Sequence, residues 1–98
     1  MKSLPKTVQP YQRTPTFSAD TVPRGLLSAH NTKAGTWAVI HVLEGELLYR
    51  IGEPVEEEAV LSSTVKGVIE PGMRHAVAPL GAVSFYVEFY REEAASPP

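Results

Sequence analysis

Gly67-Val-Ile-Glu-Pro-Gly-Met-Arg-His75 is the stretch that decides the fold. A short apolar run meets a Pro-Gly corner, and a histidine follows as the chain re-enters regular structure. Proline and glycine are the residues of tight turns, so Pro71-Gly72 predicts a turn between two strands. A histidine delivered by such a turn is placed to point into a barrel or sandwich.

Strand signals continue on both sides. Downstream, His75-Ala-Val-Ala78 reads as a strand and Pro79-Leu-Gly81 as a turn. Val83-Ser-Phe-Tyr-Val-Glu-Phe-Tyr90 then alternates, with Val83, Phe85, Val87 and Phe89 on one face and Ser84, Tyr86, Glu88 and Tyr90 on the other. Upstream, Val60-Leu61 and Val65 flank a polar Ser62-Ser-Thr64, which suggests a short strand or loop. Glu56–Glu58 reads as a solvated loop and Gly52-Glu-Pro54 as a break. Thr36-Trp-Ala-Val-Ile-His-Val-Leu43 is rich in β-branched and aromatic residues and is the strongest strand. Glu44-Gly45 reads as a hairpin turn into a return strand, Glu46–Ile51.

Nearer the start, Asn31–Gly35 is a loop by composition, Leu26–His30 a short strand and Pro23-Arg-Gly25 a turn. Pro5, Pro10, Pro15 and Pro23 forbid helix and favour extended or edge backbone, so residues 1–23 are expected to form an arm laid over the body. The body spans 24–91, and 92–98 has the composition of a frayed tail. With about seven or eight short strands and no convincing helix, the chain reads as an all-β antiparallel barrel or sandwich.

Ninety-eight residues make one domain with a single core. At 43% apolar and 20% charged residues, the composition is that of a globular chain and not a disordered one. The absence of cysteine excludes disulfides, thiolate metal sites and cysteine nucleophiles. A net charge of −2 argues against nucleic acid as a partner, although the arm carries Lys2, Lys6, Arg13 and Arg24 against Asp20. No apolar run approaches the roughly 18 residues needed to span a membrane. Residues 1–6 lack the apolar stretch of an export signal. A cytoplasmic protein with no membrane partner is therefore expected.

Val42-Leu-Glu-Gly45-Glu-Leu, followed by Gly67…Pro71-Gly72…His75, resembles the two-motif layout of the cupins. The likeness is nearer still to one branch, the small TehB/YeaR-like cupins named for tellurite resistance. It runs through Leu4-Pro5, Tyr11…Arg13-Thr-Pro15, Thr21-Val-Pro23…Gly25, His30, Val42–Gly45, Gly67–Pro71, His75 and Phe85…Glu88-Phe-Tyr-Arg91. The resemblance implies a single-domain cupin-like jelly roll and a role with a small molecule or oxyanion such as tellurite. The sequence departs from the metal-binding pattern at two positions. Thr32 stands where a second histidine is usual, and Ala38 where a glutamate is. Tellurite-resistance proteins can carry a methyltransferase domain, and nothing in these residues resembles one.

By the resemblance, His30 and His75 lie at strand ends near the same mouth. Glu88, set mid-strand among apolar residues where an unpaired carboxylate is costly to bury, is the candidate third ligand. Such a set with open positions would suit zinc, iron(II), manganese or nickel. The alternatives are hydrogen-bonded structural histidines and a Glu88 at the surface or paired with Arg50 or Arg91. Tyr49, Arg50 and Tyr86 could serve a bound ligand through hydroxyl or guanidinium groups. His41 shares a face with Trp37, Val39 and Leu43, opposite Ala38, Ile40 and Val42, which sets it apart from the proposed ligands. That second face, with Trp37 as anchor, is expected to be covered by the arm or by the partner in a homodimer. No nucleophile–base constellation is present, and whether the chain catalyses a reaction is open.

Overall fold

The strands form where alternation and β-branched runs ask for them. The computed structural model describes residues 1–27, 30–31, 33–52 and 54–92, with the backbone alone at 30 and 31. The strands are β1 (Val8–Arg13), β2 (Phe17–Ser18), β3 (His30–Asn31), β4 (Thr36–Glu44), β5 (Leu47–Ile51), β6 (Glu57–Leu61), β7 (Gly67–Ile69), β8 (Arg74–Pro79) and β9 (Ser84–Glu92). One helical turn, α1 (Arg24–Leu27), lies between β2 and β3. No helix among the described residues is long and apolar enough to cross a membrane.

Two antiparallel sheets face each other as a single-domain jelly-roll sandwich. The first has the order β1-β9-β4-β7, with β2 also paired to β9; the second has the order β3-β8-β5-β6. Inner positions follow the expected alternation. Ala38, Ile40 and Val42 of β4, Leu47, Tyr49 and Ile51 of β5, and Phe85 and Val87 of β9 are all buried and share one core with Leu61, Ile69, Val77 and Val83. Proline falls where the ladder tolerates it: Pro10 sits in β1, on the edge of its sheet, next to a register shift.

Three local expectations are corrected. The Glu44-Gly45 turn is not a hairpin, because β5 pairs with β6 and β8 and never with β4. It carries the chain from one sheet to the other, so that β4 and β5 bring their apolar faces together across the core. Gly45 makes the crossing possible. Its φ is +77°, and a Cβ there would collide with the carbonyl of Ala82. The Glu70–Met73 corner is likewise a sheet crossing. Its type II geometry, with Gly72 at φ +69° and Met73 N–H donating to the Glu70 carbonyl at 3.3 Å, leads from β7 in one sheet to β8 in the other.

Leu26-Leu27 is helical, not extended. Pro23 fixes the entry and its carbonyl accepts from Leu26 N–H at 3.0 Å, closing a turn before β3 begins at His30. Glu57 and Glu58, expected in a loop, open edge strand β6. Only Leu61 is fully buried there, so an edge strand with acidic outward positions carries little apolar signal. The tail expected at 92–98 begins in β9 at Glu92, and the remainder lies outside the described residues.

Candidate functional site

A pocket of about 250 Å³ opens between the two sheets. β9 contributes Phe85, Val87 and Phe89, β4 Ile40, β7 Ile69, and β8 His75 and Val77. The opposite wall comes from Thr14, Phe17 of β2, Pro23, and Gly25 and Leu26 of α1. Phe17 meets Phe85 edge-to-face, with centroids 5.7 Å apart and planes at 62°. Such a pair adds about 0.5–1.5 kcal/mol beyond its burial.

Among the described residues, two polar side chains line this cavity, Thr14 and His75. The Thr14 hydroxyl is committed to the backbone, donating to the Pro15 carbonyl at 2.8 Å and accepting from Val87 N–H at 3.0 Å. His75 is 3% exposed and, among the described residues, is the one polar residue in the buried set. Its Nδ1 lies 3.0 Å from the Met73 carbonyl oxygen, which can only accept, so Nδ1 carries the hydrogen. In the neutral ring Nε2 is then the basic nitrogen. The Tyr49 ring stands edge-on to the imidazole at 6.4 Å.

His30 is the register partner of His75 in the β3–β8 ladder. The side chain of His30, the first candidate ligand, lies outside the described residues. Glu88, the candidate third ligand, is not brought to His75. It alternates with Val87 and Phe89, which line the pocket, and therefore occupies the outer face of the first sheet. There one carboxylate oxygen accepts from Tyr90 Oη at 2.8 Å and meets His41 Nε2 at 3.1 Å. Among the described residues, no three histidine, cysteine, aspartate or glutamate side chains form a group able to hold a metal ion.

The remaining ligand candidates also point elsewhere. Tyr49 is 1% exposed and spends its hydroxyl on the Val68 carbonyl, 2.8 Å away in the facing sheet. Burial first, then Glu70 and Glu57, raises its pKa well above the ordinary tyrosine value. Arg50 is exposed on the outer side of the second sheet, with Nε 3.2 Å from Glu58. Tyr86 lies on the outer face of the first, stacked on His41 at 4.7 Å beneath the Arg13 guanidinium at 5.0 Å. Tyr90 in the same cluster has its pKa pushed up to about 12 by burial, by its hydrogen bond to Glu88 and by the nearby charge.

Phe17, Pro23, Leu26 and Phe89 were not expected at the site. Phe89 was legible in the β9 alternation as an inward residue. The others reach the pocket from the arm and α1, whose position no periodicity reports. The His41–Glu88–Tyr90 cluster was legible in part, since alternation on β4 and β9 sets all three on outward positions.

The TehB-like domain family matches residues 12–87. The probable S-adenosyl-L-methionine-dependent methyltransferase TehB of Haemophilus influenzae is 31% identical over 74 residues, which is 71% of this chain. The chain spans about a quarter of that relative, 26% of its length. The crystal structure of TehB from H. influenzae superposes with a TM-score of 0.82 at 27% identity, over 89% of this chain and 32% of that one. A protein from E. coli (strain K12) superposes with a TM-score of 0.89 at 17% identity, over 100% of this chain and 95% of its own. Hydroxypropylphosphonic acid epoxidase from S. wedmorenis follows at 0.58 and 21%, over 84% and 42%. The last two likenesses speak to fold alone.

Proposed function

The chain belongs to the TehB-like domain family, and from that premise we propose that it is a small-molecule-binding domain of the tellurite-resistance-related kind, with the inter-sheet pocket as its binding site. The observation that carries the reading is a concave cavity whose described lining is mostly apolar and includes the buried imidazole of His75. Binding is favoured over catalysis because the pocket supplies His75 without a second acid, base or nucleophile among the described residues that line it. The H. influenzae relative is named a methyltransferase, and this chain matches only its minor part. We therefore assign this domain a binding role, with no methyl transfer of its own.

Titration of ¹⁵N-labelled protein with toluene, p-cresol and sodium tellurite tests the proposal. Saturable shifts are expected at Phe85, Val87 and Val77 with at least one probe. Leu26→Trp, which fills the cavity from α1, should abolish them. No saturable shift with any of the three probes would overturn the reading.

A second reading rests on the register of His30 opposite His75. Two imidazoles there would hold zinc, iron, manganese or nickel, with further ligands from water or a bound molecule. Elemental analysis of protein never exposed to a nickel column should then find near-stoichiometric metal that His75→Ala removes and Glu88→Gln keeps. Equal, negligible metal in all three would end that reading.

A further inference from the structure

We infer that residues 15–27 form a strap over the pocket, with Thr14 as its pivot and Phe17 as its plug. Ligand enters and leaves when Phe17 parts from Phe85. The inference rests on the binding role proposed for this pocket and names the wall that moves. Most of the other described lining is fixed. Phe85 and Val87 belong to β9, Ile40 to β4 and Val77 to β8, and each of these strands is paired on both sides. Moving any of them would break a ladder of backbone hydrogen bonds.

The strap is held differently. It supplies Phe17, Pro23, Gly25 and Leu26 to the cavity, yet Val22 is its one buried residue. α1 buries none of its residues, and a single helical turn has little stability of its own. β2 joins β9 through two residues only, Phe17 opposite Phe85 and Ser18 opposite Ser84. Other hydrogen bonds stay inside the strap. The N–H groups of Thr21 and Val22 donate to the Ser18 carbonyl at 3.2 and 3.1 Å, and Ser18 N–H donates to Thr21 Oγ1 at 2.7 Å. Leu26 N–H donates to the Pro23 carbonyl at 3.0 Å. Lifting the strap as a unit breaks none of these. Among the described residues, neither Asp20 nor Arg24 forms an ion pair that would tie it down. A segment with so few buried contacts belongs to the low end of local stability.

The pivot is firm. Thr14 N–H donates to the Val87 carbonyl at 2.8 Å, and Thr14 Oγ1 accepts from Val87 N–H at 3.0 Å. Pro15 fixes its own φ and keeps Thr14 out of the helical region. Motion therefore begins beyond Pro15. Phe17 is the first residue past it to line the cavity, and its edge-to-face contact with Phe85 is what opening must break.

The chain has no cysteine, so one engineered disulfide can lock the strap without competing thiols. Ser18→Cys with Ser84→Cys joins register partners that alternate with Phe17 and Phe85, on the side away from the pocket. Opposed antiparallel positions stand about 4.5–5.5 Å apart at Cα, within reach of a disulfide. Toluene, p-cresol and sodium tellurite are titrated into ¹⁵N-labelled parent and into the double variant, oxidised and reduced. Association and dissociation rates are read from exchange line shapes at Val77 and Val87, with each probe that saturates in the parent.

A gate acts on entry and exit alike. Oxidation should slow both rates about tenfold or more and leave the dissociation constant within about twofold, and reduction should restore the parent rates. Phe17→Ala, which removes the plug and needs no disulfide to form, should speed both rates. Loss of a mere wall contact would speed dissociation alone. Equal rates in the oxidised and reduced variant, or a Phe17→Ala effect confined to dissociation, would overturn the strap and leave the binding role intact. Silence from all three probes in the parent would remove the binding role, and the strap's function with it.

Discussion

Tyr49 offers the sharpest single test of how the molecule is put together. Its ring lies in the core at 1% exposure, and its hydroxyl reaches across from β5 to the Val68 carbonyl of β7 at 2.8 Å. The bond ties one sheet to the other near the corner that delivers His75. Tyr49→Phe removes one oxygen and changes the packing volume little, so no cavity contribution confuses the result. What is lost is the net value of a hydrogen bond, about 0.5–1.5 kcal/mol, plus part of the cost of stranding a carbonyl, about 1–3 kcal/mol when that group is fully buried. Val68 is only half-buried and water can reach part of its surroundings, so the lower end applies. We expect a loss of about 1–2 kcal/mol, or about 5–15 °C in Tm for a domain of this size. Urea and thermal unfolding followed by circular dichroism at neutral pH measure it. p-Cresol binding should change less than twofold, because the hydroxyl faces Val68 and not the cavity. A Tm within 1 °C of the parent, or a large loss of probe affinity with stability intact, would refute the inter-sheet role.

Gly45→Ala should be far more damaging, costing more than about 3 kcal/mol. Positive φ strains any side chain there, and the added Cβ meets the Ala82 backbone, which cannot swing aside. A urea midpoint within error of the parent would contradict the crossing described for β4 and β5. The alkaline limb of stability follows from Tyr49 and Tyr90, whose folded pKa values are both raised, the latter to about 12. The folded protein holds these protons more tightly than the unfolded chain. The stabilisation is therefore complete below about pH 10 and is lost as pH rises through about 12. Urea midpoints at about pH 9 and pH 11 should differ in that sense, and the Tyr49→Phe, Tyr90→Phe double variant should flatten the difference.

The alternation of β4 and β9 was written in the sequence, and so were the Pro-Gly corner before His75 and the inward set Ala38, Ile40, Val42, Phe85 and Val87. These follow from neighbours one or two residues apart, where the period of a strand and the φ preferences of proline and glycine act directly. The position of Glu88 was carried by the same alternation. Once Phe85, Val87 and Phe89 are taken as inward, Glu88 must face out, and its place as a third ligand falls. Which strand pairs with which was not legible. Glu44-Gly45 has the composition of a hairpin whether the chain turns back within a sheet or steps across to the next. The choice depends on where β8 and β9 insert, dozens of residues later. Charge alone misread β6, because an edge strand needs only one buried face.

By itself, then, the sequence determined that this is an antiparallel all-β chain with a histidine delivered at a corner, because those properties are local. Only the tertiary structure decided that the histidine would stand against the apolar walls of Phe85, Val87 and Leu26, with its tautomer fixed by Met73 and its expected carboxylate partner on the far side of the sheet. That arrangement depends on contacts between residues far apart in the chain, and no period of two can report which distant strand will supply the opposite wall.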